Sequence, residues 1–296
     1  MIPPRLFILS TGRAGSRSIA HLLSAIHGCT CVHEPAPQLI FEASAYRHGE
    51  ISAAEIGRLM KETRPISIRG ERYCESNQNL SLIIPVLAAT FPEARFLWLV
   101  RNGLDMVASA YSKQWYSGHS ERHDLYEDCT PLEKAWIDGR IEGDRCGDVE
   151  PALWDEMDRF ARICWYWTYV NRLIESDLQC YAPDRFMLVR LETLDTQLPK
   201  MLPWLELRAA IVPRAKRINP SIRPPYPWQT WSLEHRAVFE RWCIPLMNQL
   251  YPQWYSSNGE WRSVPYLQRS SLLPDWLNRY TFLKTINRYL SPNPLT

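Results

Sequence analysis

Two short stretches of the 296-residue chain gather side chains that grip anions. The first, STGRAGSRS at residues 10–18, sets Gly12, Arg13, Ala14, Gly15, Ser16, Arg17 and Ser18 between two apolar patterns. Before it, Leu6 to Leu9 form a continuous apolar run that predicts a buried strand; after it, Ile19, Leu22, Leu23 and Ile26 fall on one face of a predicted helix. Gly12 and Gly15 let the backbone turn tightly, and the first N–H groups of the helix point back at the turn without intrahelical partners. Arg13 and Arg17 add fixed positive charge suited to oxygen pairs, and Ser16 and Ser18 add hydroxyl donors. The expected guest is a phosphate. The plainer alternative is an ordinary strand-to-helix turn with solvated arginines.

Neither familiar nucleotide loop fits. Gly12 and Gly15 are three apart and no Lys follows, which breaks the Walker pattern, and Arg13-Ala14 breaks the GxGxxG pattern. A second stretch, RNGLDMVASAY at residues 101–111, follows the apolar run Phe96 to Val100. It places Arg101 at the carboxyl end of a predicted strand, where open parallel sheets bind ligands, with Asp105, Ser109 and Tyr111 on the helix beyond. Two anion sites in one crevice match a molecule with two separate phosphate groups.

At these residues the chain resembles the sulfotransferase family, whose donor is 3′-phosphoadenosine 5′-phosphosulfate. The family's phosphate loop, Lys/Arg-x-Gly-Ser/Thr, corresponds to Arg13, Ala14, Gly15 and Ser16. Its second motif corresponds without a gap to Arg101, Asn102, Asp105, Ser109 and Tyr111, about 90 residues further on. The resemblance covers roughly residues 5 to 252 and implies an α/β fold, a central parallel sheet flanked by helices of the P-loop NTPase-like kind. It implies that Arg13, Ser16, Arg17 and Ser18 hold the 5′-phosphosulfate, that Arg101 and Ser109 hold the 3′-phosphate, and that no metal is required. Weaker matches are the late strand and turn of residues 185–194, ending in Leu191, Glu192, Thr193 and Leu194; a long helix over 161–174 whose stripe takes in Leu153, Met157, Phe160, Cys164 and Trp167; and a loop reaching back to the 3′-phosphate with Arg217, Asn219 and Ser221. The Gly-rich form of that loop is missing, as is the Lys that many relatives carry near Glu75.

A transferase also needs a base for the acceptor hydroxyl. In CVHEPAP the short strand Cys29 to His33 leads to Glu34, which precedes Pro35 and is therefore expected in extended geometry at the crevice rim. It lies 21 residues after Arg13, the spacing at which tyrosylprotein sulfotransferases carry a glutamate base. Glu34 is the expected base, with a helix-capping carboxylate as the structural alternative. His33 is a second choice, expected by strand alternation to face the other way. Glu71 and Glu75, placed after a strand at 65–69, are third choices. Arg13 stands where cytosolic relatives have Lys, so it is expected to act as an electrostatic clamp rather than a proton donor.

The whole-chain numbers set limits. With 46% hydrophobic residues the chain can bury one large core. We expect a sulfotransferase domain over 1–255 and a helical extension over 256–296 packed on it, in which Leu273, Trp276, Leu277, Tyr280 and Leu283 share a face. A net charge of +2, with 28 arginines and 6 lysines, points to local anion grips and gives no case for nucleic acid. No run is apolar enough to cross a membrane and the chain enters its first strand at once, so a cytoplasmic location is expected. Eight scattered cysteines without paired CxxC spacing read as core thiols, and His119 with His123 lacks a third metal ligand. Residues 112–150 form a polar stretch, read either as a lid or acceptor groove or as a solvated excursion; the part from Glu121 to Glu150 holds ten acidic and four basic side chains. The leading function is sulfuryl transfer to a hydroxyl of a sugar, lipid or other metabolite, a small-molecule or carbohydrate acceptor. The alternatives are a P-loop small-molecule kinase and a nucleotide-binding module without catalysis.

Overall fold

In the computed structural model, the described residues are 4–68, 70–117, 126, 128–208, 226–254 and 260–262. Five parallel strands build the sheet in the order β2 (Cys29–His33), β4 (Glu71–Ser76), β1 (Leu6–Leu9), β5 (Arg95–Val100) and β6 (Phe186–Arg190), while β3 (Ser67–Ile68) pairs antiparallel with β4. The architecture is α/β, a parallel sheet covered by helices on both faces.

Alternation along the strands shows why both faces need cover. Phe7 and Leu9 of β1 join Phe96, Trp98 and Val100 of β5 in one apolar cluster. That cluster is closed by α4 (Ile84–Thr90), α5 (Gly103–Ser112), α8 (Arg159–Tyr181) and α10 (Leu233–Leu250). Leu6 and Ile8 join Leu97, Leu99 and Val189 in a second cluster on the other face, under α1 (Ser16–Ser24) and α9 (Leu194–Trp204). Strands buried on both faces read as continuous apolar runs, which is how β1 and β5 read.

β4 differs from expectation. The segment expected as a strand at 65–69 is only the two-residue β3, and the strand between β2 and β1 is ERYCES, residues 71–76. It carries charge into the interior by pairing it: Arg64 grips Glu75 through Nε at 2.7 Å and Nη2 at 3.1 Å, and Tyr73 and Asn77 donate to the same carboxylate. The long-helix expectation holds within the 23-residue α8, but the stripe assigned to it is interrupted. Leu153 belongs to α7 (Pro151–Glu156), Met157 lies between the helices, and Asp158 caps α8 by accepting from the Ala161 N–H at 2.8 Å.

The remaining helices are α2 (Ile40–Arg47), α3 (Ala53–Thr63) and α6 (Pro131–Asp138). Among the described residues no helix is long and apolar enough to cross a membrane. All eight cysteines are free, and Cys29, Cys74, Cys164 and Cys243 are buried. His119, His123 and the helical face expected at 272–290 lie outside the described residues.

Candidate active site

From β1 the chain runs out to β2, returns through β4 and then crosses to β5 on the other side of β1. The carboxyl end of β1 therefore sits at the change of direction, the place where such sheets bind ligands. The register aligns the rim: Ile8 and His33 both pair with Ser76, and Leu9 pairs with Trp98.

The loop after β1 is pinned at its start, where the Ser10 N–H donates to Ser81 Oγ at 2.9 Å and that hydroxyl donates back to the Ser10 carbonyl at 3.0 Å. Gly12, Arg13 and Gly15 then take left-handed φ values of 71°, 49° and 87°. Gly15 is required as well as permitted, because a Cβ there would stand 2.5 Å from Leu191 Cδ1. Gly15 is also the cap of α1, and no side chain caps that helix, so its first-turn N–H groups face the crevice. Ala14 is wholly buried beneath the loop, Ser16 and Ser18 are partly exposed, and Arg17 is exposed. Ser76 Oγ donates to the Ser16 carbonyl at 3.0 Å, tying the helix start to the end of β4.

The two predicted anion grips meet. Arg13 Nε donates to Ser109 Oγ at 3.1 Å, and Arg101 Nη1 donates to the Arg13 carbonyl at 3.0 Å. Arg101 also lies 3.6 Å from Asp105, while its Nε is buried without a partner. Burial first, then the charges of Arg101 and Arg17, lower the proton affinity of Arg13, and Glu34 opposes them. Such crowding of cations around a half-buried guanidinium favours anionic charge nearby. Glu192 holds the Arg101 turn from below: it accepts from the Asn102 N–H at 2.9 Å, from Asn102 Nδ2 at 2.7 Å and from the Tyr251 hydroxyl at 2.9 Å. The turn after β6 thus serves both loops, Leu191 packing on Gly15 and Glu192 anchoring Asn102.

Glu34 stands on the same rim, but its backbone is not the extended one expected before proline. Its φ is 46°, and its N–H donates to the Ser76 carbonyl at 3.0 Å. This left-handed step breaks the strand alternation, so His33 and Glu34 do not face opposite ways. His33 Nε2 is 3.8 Å from Glu34 Oε2, while Nδ1 lies 3.0 Å from the Ser76 carbonyl, which fixes the proton on Nδ1. Burial, with Arg17 second, pushes His33 down to about 4. Burial raises the proton affinity of Glu34, against the opposing charges of Arg17 and Arg13. Helix capping does not explain Glu34, because α2 is capped at Leu39 without a side-chain hydrogen bond.

The third-choice bases lie off the site. Glu71 is at the start of β4, the far end from the rim, accepting from Thr30 Oγ1 at 2.6 Å and the Gly28 N–H at 3.2 Å. Glu75 is 0% exposed and held by Arg64. Arg217, Asn219 and Ser221 lie outside the described residues.

Several site residues carried no sequence motif. Gln78 presses on the loop so closely that its Oε1 lies 1.7 Å from where a Gly12 Cβ would stand, and that oxygen is buried without a partner. The Trp115 ring reaches within 3.1 Å of the same point and meets Tyr166 edge-on at 5.5 Å. Tyr166 senses Glu34: burial first, then that carboxylate, push it up to about 12 against the pull of Arg140.

The fold and rim define an α/β protein in which Arg13 and Arg101 meet at two neighbouring strand ends, near the half-buried carboxylate of Glu34. No protein-family model matches the chain, and no curated protein matches it in sequence. Among solved structures it is similar to a sulfotransferase from Alicyclobacillus acidocaldarius, with a TM-score of 0.46 and 15% identity over 85% of this chain and 97% of that one. It is also similar to the sulfotransferase domain from the curacin biosynthetic pathway (0.40, 14%, 70% and 75%). A third is the sulfotransferase domain from the Synechococcus PCC 7002 olefin synthase (0.39, 15%, 69% and 74%).

Proposed function

We propose that this crevice binds 3′-phosphoadenosine 5′-phosphosulfate and transfers its sulfuryl group to a hydroxyl of a small-molecule or carbohydrate acceptor. The observation that carries the proposal is the linkage of Arg13, Ser109 and Arg101 across two neighbouring strand ends, within the electrostatic reach of Glu34. The residues suit a donor with two anionic groups: α1 presents uncapped N–H groups to one, and Arg101 keeps a buried, unpartnered Nε for the other.

Sulfuryl transfer resembles phosphoryl transfer in relying on position and charge. The acceptor oxygen forms a bond to sulfur as the bond from sulfur to the 5′-phosphate oxygen breaks. Glu34 takes the acceptor's proton, and Arg13 with the α1 N-terminus neutralises the charge gained by the leaving phosphate. His33 holds its proton on Nδ1 and stays neutral, so it adds no competing charge beside Glu34.

The test is a pair of measurements on the same protein: affinity for adenosine 3′,5′-bisphosphate, and transfer of labelled sulfuryl groups from the full donor to a panel of hydroxyl compounds. Tight bisphosphate binding with transfer is the expected result. Binding without transfer identifies a non-catalytic nucleotide module, and preference for magnesium ATP identifies a kinase.

A further inference from the structure

Arg140 is a cation in an aromatic setting. Its Cζ lies 3.8 Å over the Trp115 ring, 5.5 Å from the Tyr116 ring and 6.0 Å from the Tyr166 ring. Its hydrogen bond is a long one, Nη2 to the Trp136 carbonyl at 3.4 Å, and among the described residues no carboxylate pairs with it. Arg5, Arg47 and Arg64 are neutralised by Glu93, Asp177 and Glu75, whereas Arg140, like Arg159 and Arg162, has carbonyl and ring partners instead. Ring faces compensate a desolvated cation only in part, so a guanidinium left this way favours an incoming anion. Arg140 as a residue retains partial exposure, the side from which a ligand would meet it.

Its position ties it to the crevice. The Trp115 ring on which it rests also touches the phosphate loop at Gly12, and Tyr166, edge-on to Trp115, lies in the field of both Glu34 and Arg140. The aromatic pair thus spans from the loop at Gly12 to Arg140, so an acceptor lying along it would meet the reacting end and the cation together. Trp115, Tyr116 and Arg140 belong to the polar stretch 112–150, and Ile141, which follows Arg140, is buried, so this part of the stretch is packed on the core rather than solvated.

We infer that Arg140 reads an anionic group on the acceptor, which is therefore a hydroxyl compound carrying a carboxylate, phosphate or sulfate away from the hydroxyl that reacts. This rests on the sulfuryl-transfer reading for the hydroxyl end; the anion contact is testable by binding alone.

The experiment uses the full chain loaded with adenosine 3′,5′-bisphosphate for binding and with the full donor for turnover. The probes are matched pairs: para-hydroxybenzoate against para-hydroxybenzamide, a hexose phosphate against the hexose, and a hexose sulfate against the hexose. The three pairs separate the sources of the anion. The expected result is a preference of about ten-fold or more for the anionic member of at least one pair, the size of one charge-assisted contact. In Arg140→Gln that preference disappears through a higher KM, with kcat, bisphosphate affinity and the neutral member unchanged; Arg140→Lys retains part of it. Absence of charge preference in every pair overturns the inference even where Arg140→Gln fails to fold, as does a preference that survives in a folded Arg140→Gln. Transfer without charge preference leaves the transferase reading standing, whereas Arg140-dependent anion binding without transfer removes that reading and keeps the contact.

Discussion

Glu34 is pulled in two directions, since burial favours its proton while Arg17 and Arg13 disfavour it, and burial prevails. A carboxylate held above its ordinary range is a stronger base when it does ionise, which suits removal of a hydroxyl proton. Glu34→Gln keeps the shape and the bisphosphate affinity and is expected to lower kcat by about 100-fold or more. The acid limb of the wild-type rate profile should lie above the ordinary carboxylate range; a limb at or below that range would move the base elsewhere. His33 makes the opposite linkage. Its folded value of about 4 lies below the ordinary 6.5, so the unfolded chain takes up the proton first as pH falls. The neutral ring therefore contributes stability that is present above about pH 6.5 and lost as pH falls toward 4, on the order of 3 kcal/mol. Urea unfolding across that window should show a flatter curve for His33→Gln, which still offers a donor to the Ser76 carbonyl. Sequence alone located both residues but not their convergence, because the left-handed φ of Glu34 sits before a proline where extended backbone is the rule.

Among the elements, the legible ones were those whose hydropathy states their burial. β1 and β5 are unbroken apolar runs, and α1 carries Ile19, Leu22 and Leu23 on its buried face, while Ile26, expected on that helix, lies just past its end and joins the same cluster. β4 was misplaced because ERYCES reads as a polar loop until Arg64 is known to meet Glu75, a pairing between elements that no local pattern announces. The aromatic pair escaped for the same reason: Trp115 and Tyr166 lie 51 residues apart and meet only through the packing of α8. The turn after β6 reads as LETL in the sequence, but its work does not show there, since Glu192 acts on Asn102 from 90 residues away. Glu192→Ala strips the acceptor from two Asn102 donors and the Tyr251 hydroxyl, and should cost on the order of 2 kcal/mol in stability. Bisphosphate affinity should fall with it, because Arg101 precedes the freed turn; unchanged affinity would mean that the turn is held by other contacts.

Taken as a whole, the molecule brings two arginine-bearing loops together, and under the proposed function it should respond to ligands that engage both. By mass action adenosine 3′,5′-bisphosphate should raise the melting temperature, by about 3 kcal/mol of added stability at a hundred times its Kd, with magnesium ATP giving much less. Equal protection by the two would count against the donor assignment. Arg101→Ala should weaken the bisphosphate by about 2 kcal/mol while leaving adenosine 5′-phosphosulfate, which lacks the 3′-phosphate, nearly unaffected. The central place of β1 also governs when the crevice comes into being. During synthesis this strand emerges well before either neighbour, since its register partners for Leu6 are Cys74 and Arg95. Until β5 and the helix bearing Ser109 have left the ribosome, Arg13 has no partner to settle on and the phosphate loop no floor. Contacts closed over such spans form late, so a nascent chain should acquire its nucleotide affinity abruptly, near the end of the sheet, rather than by degrees.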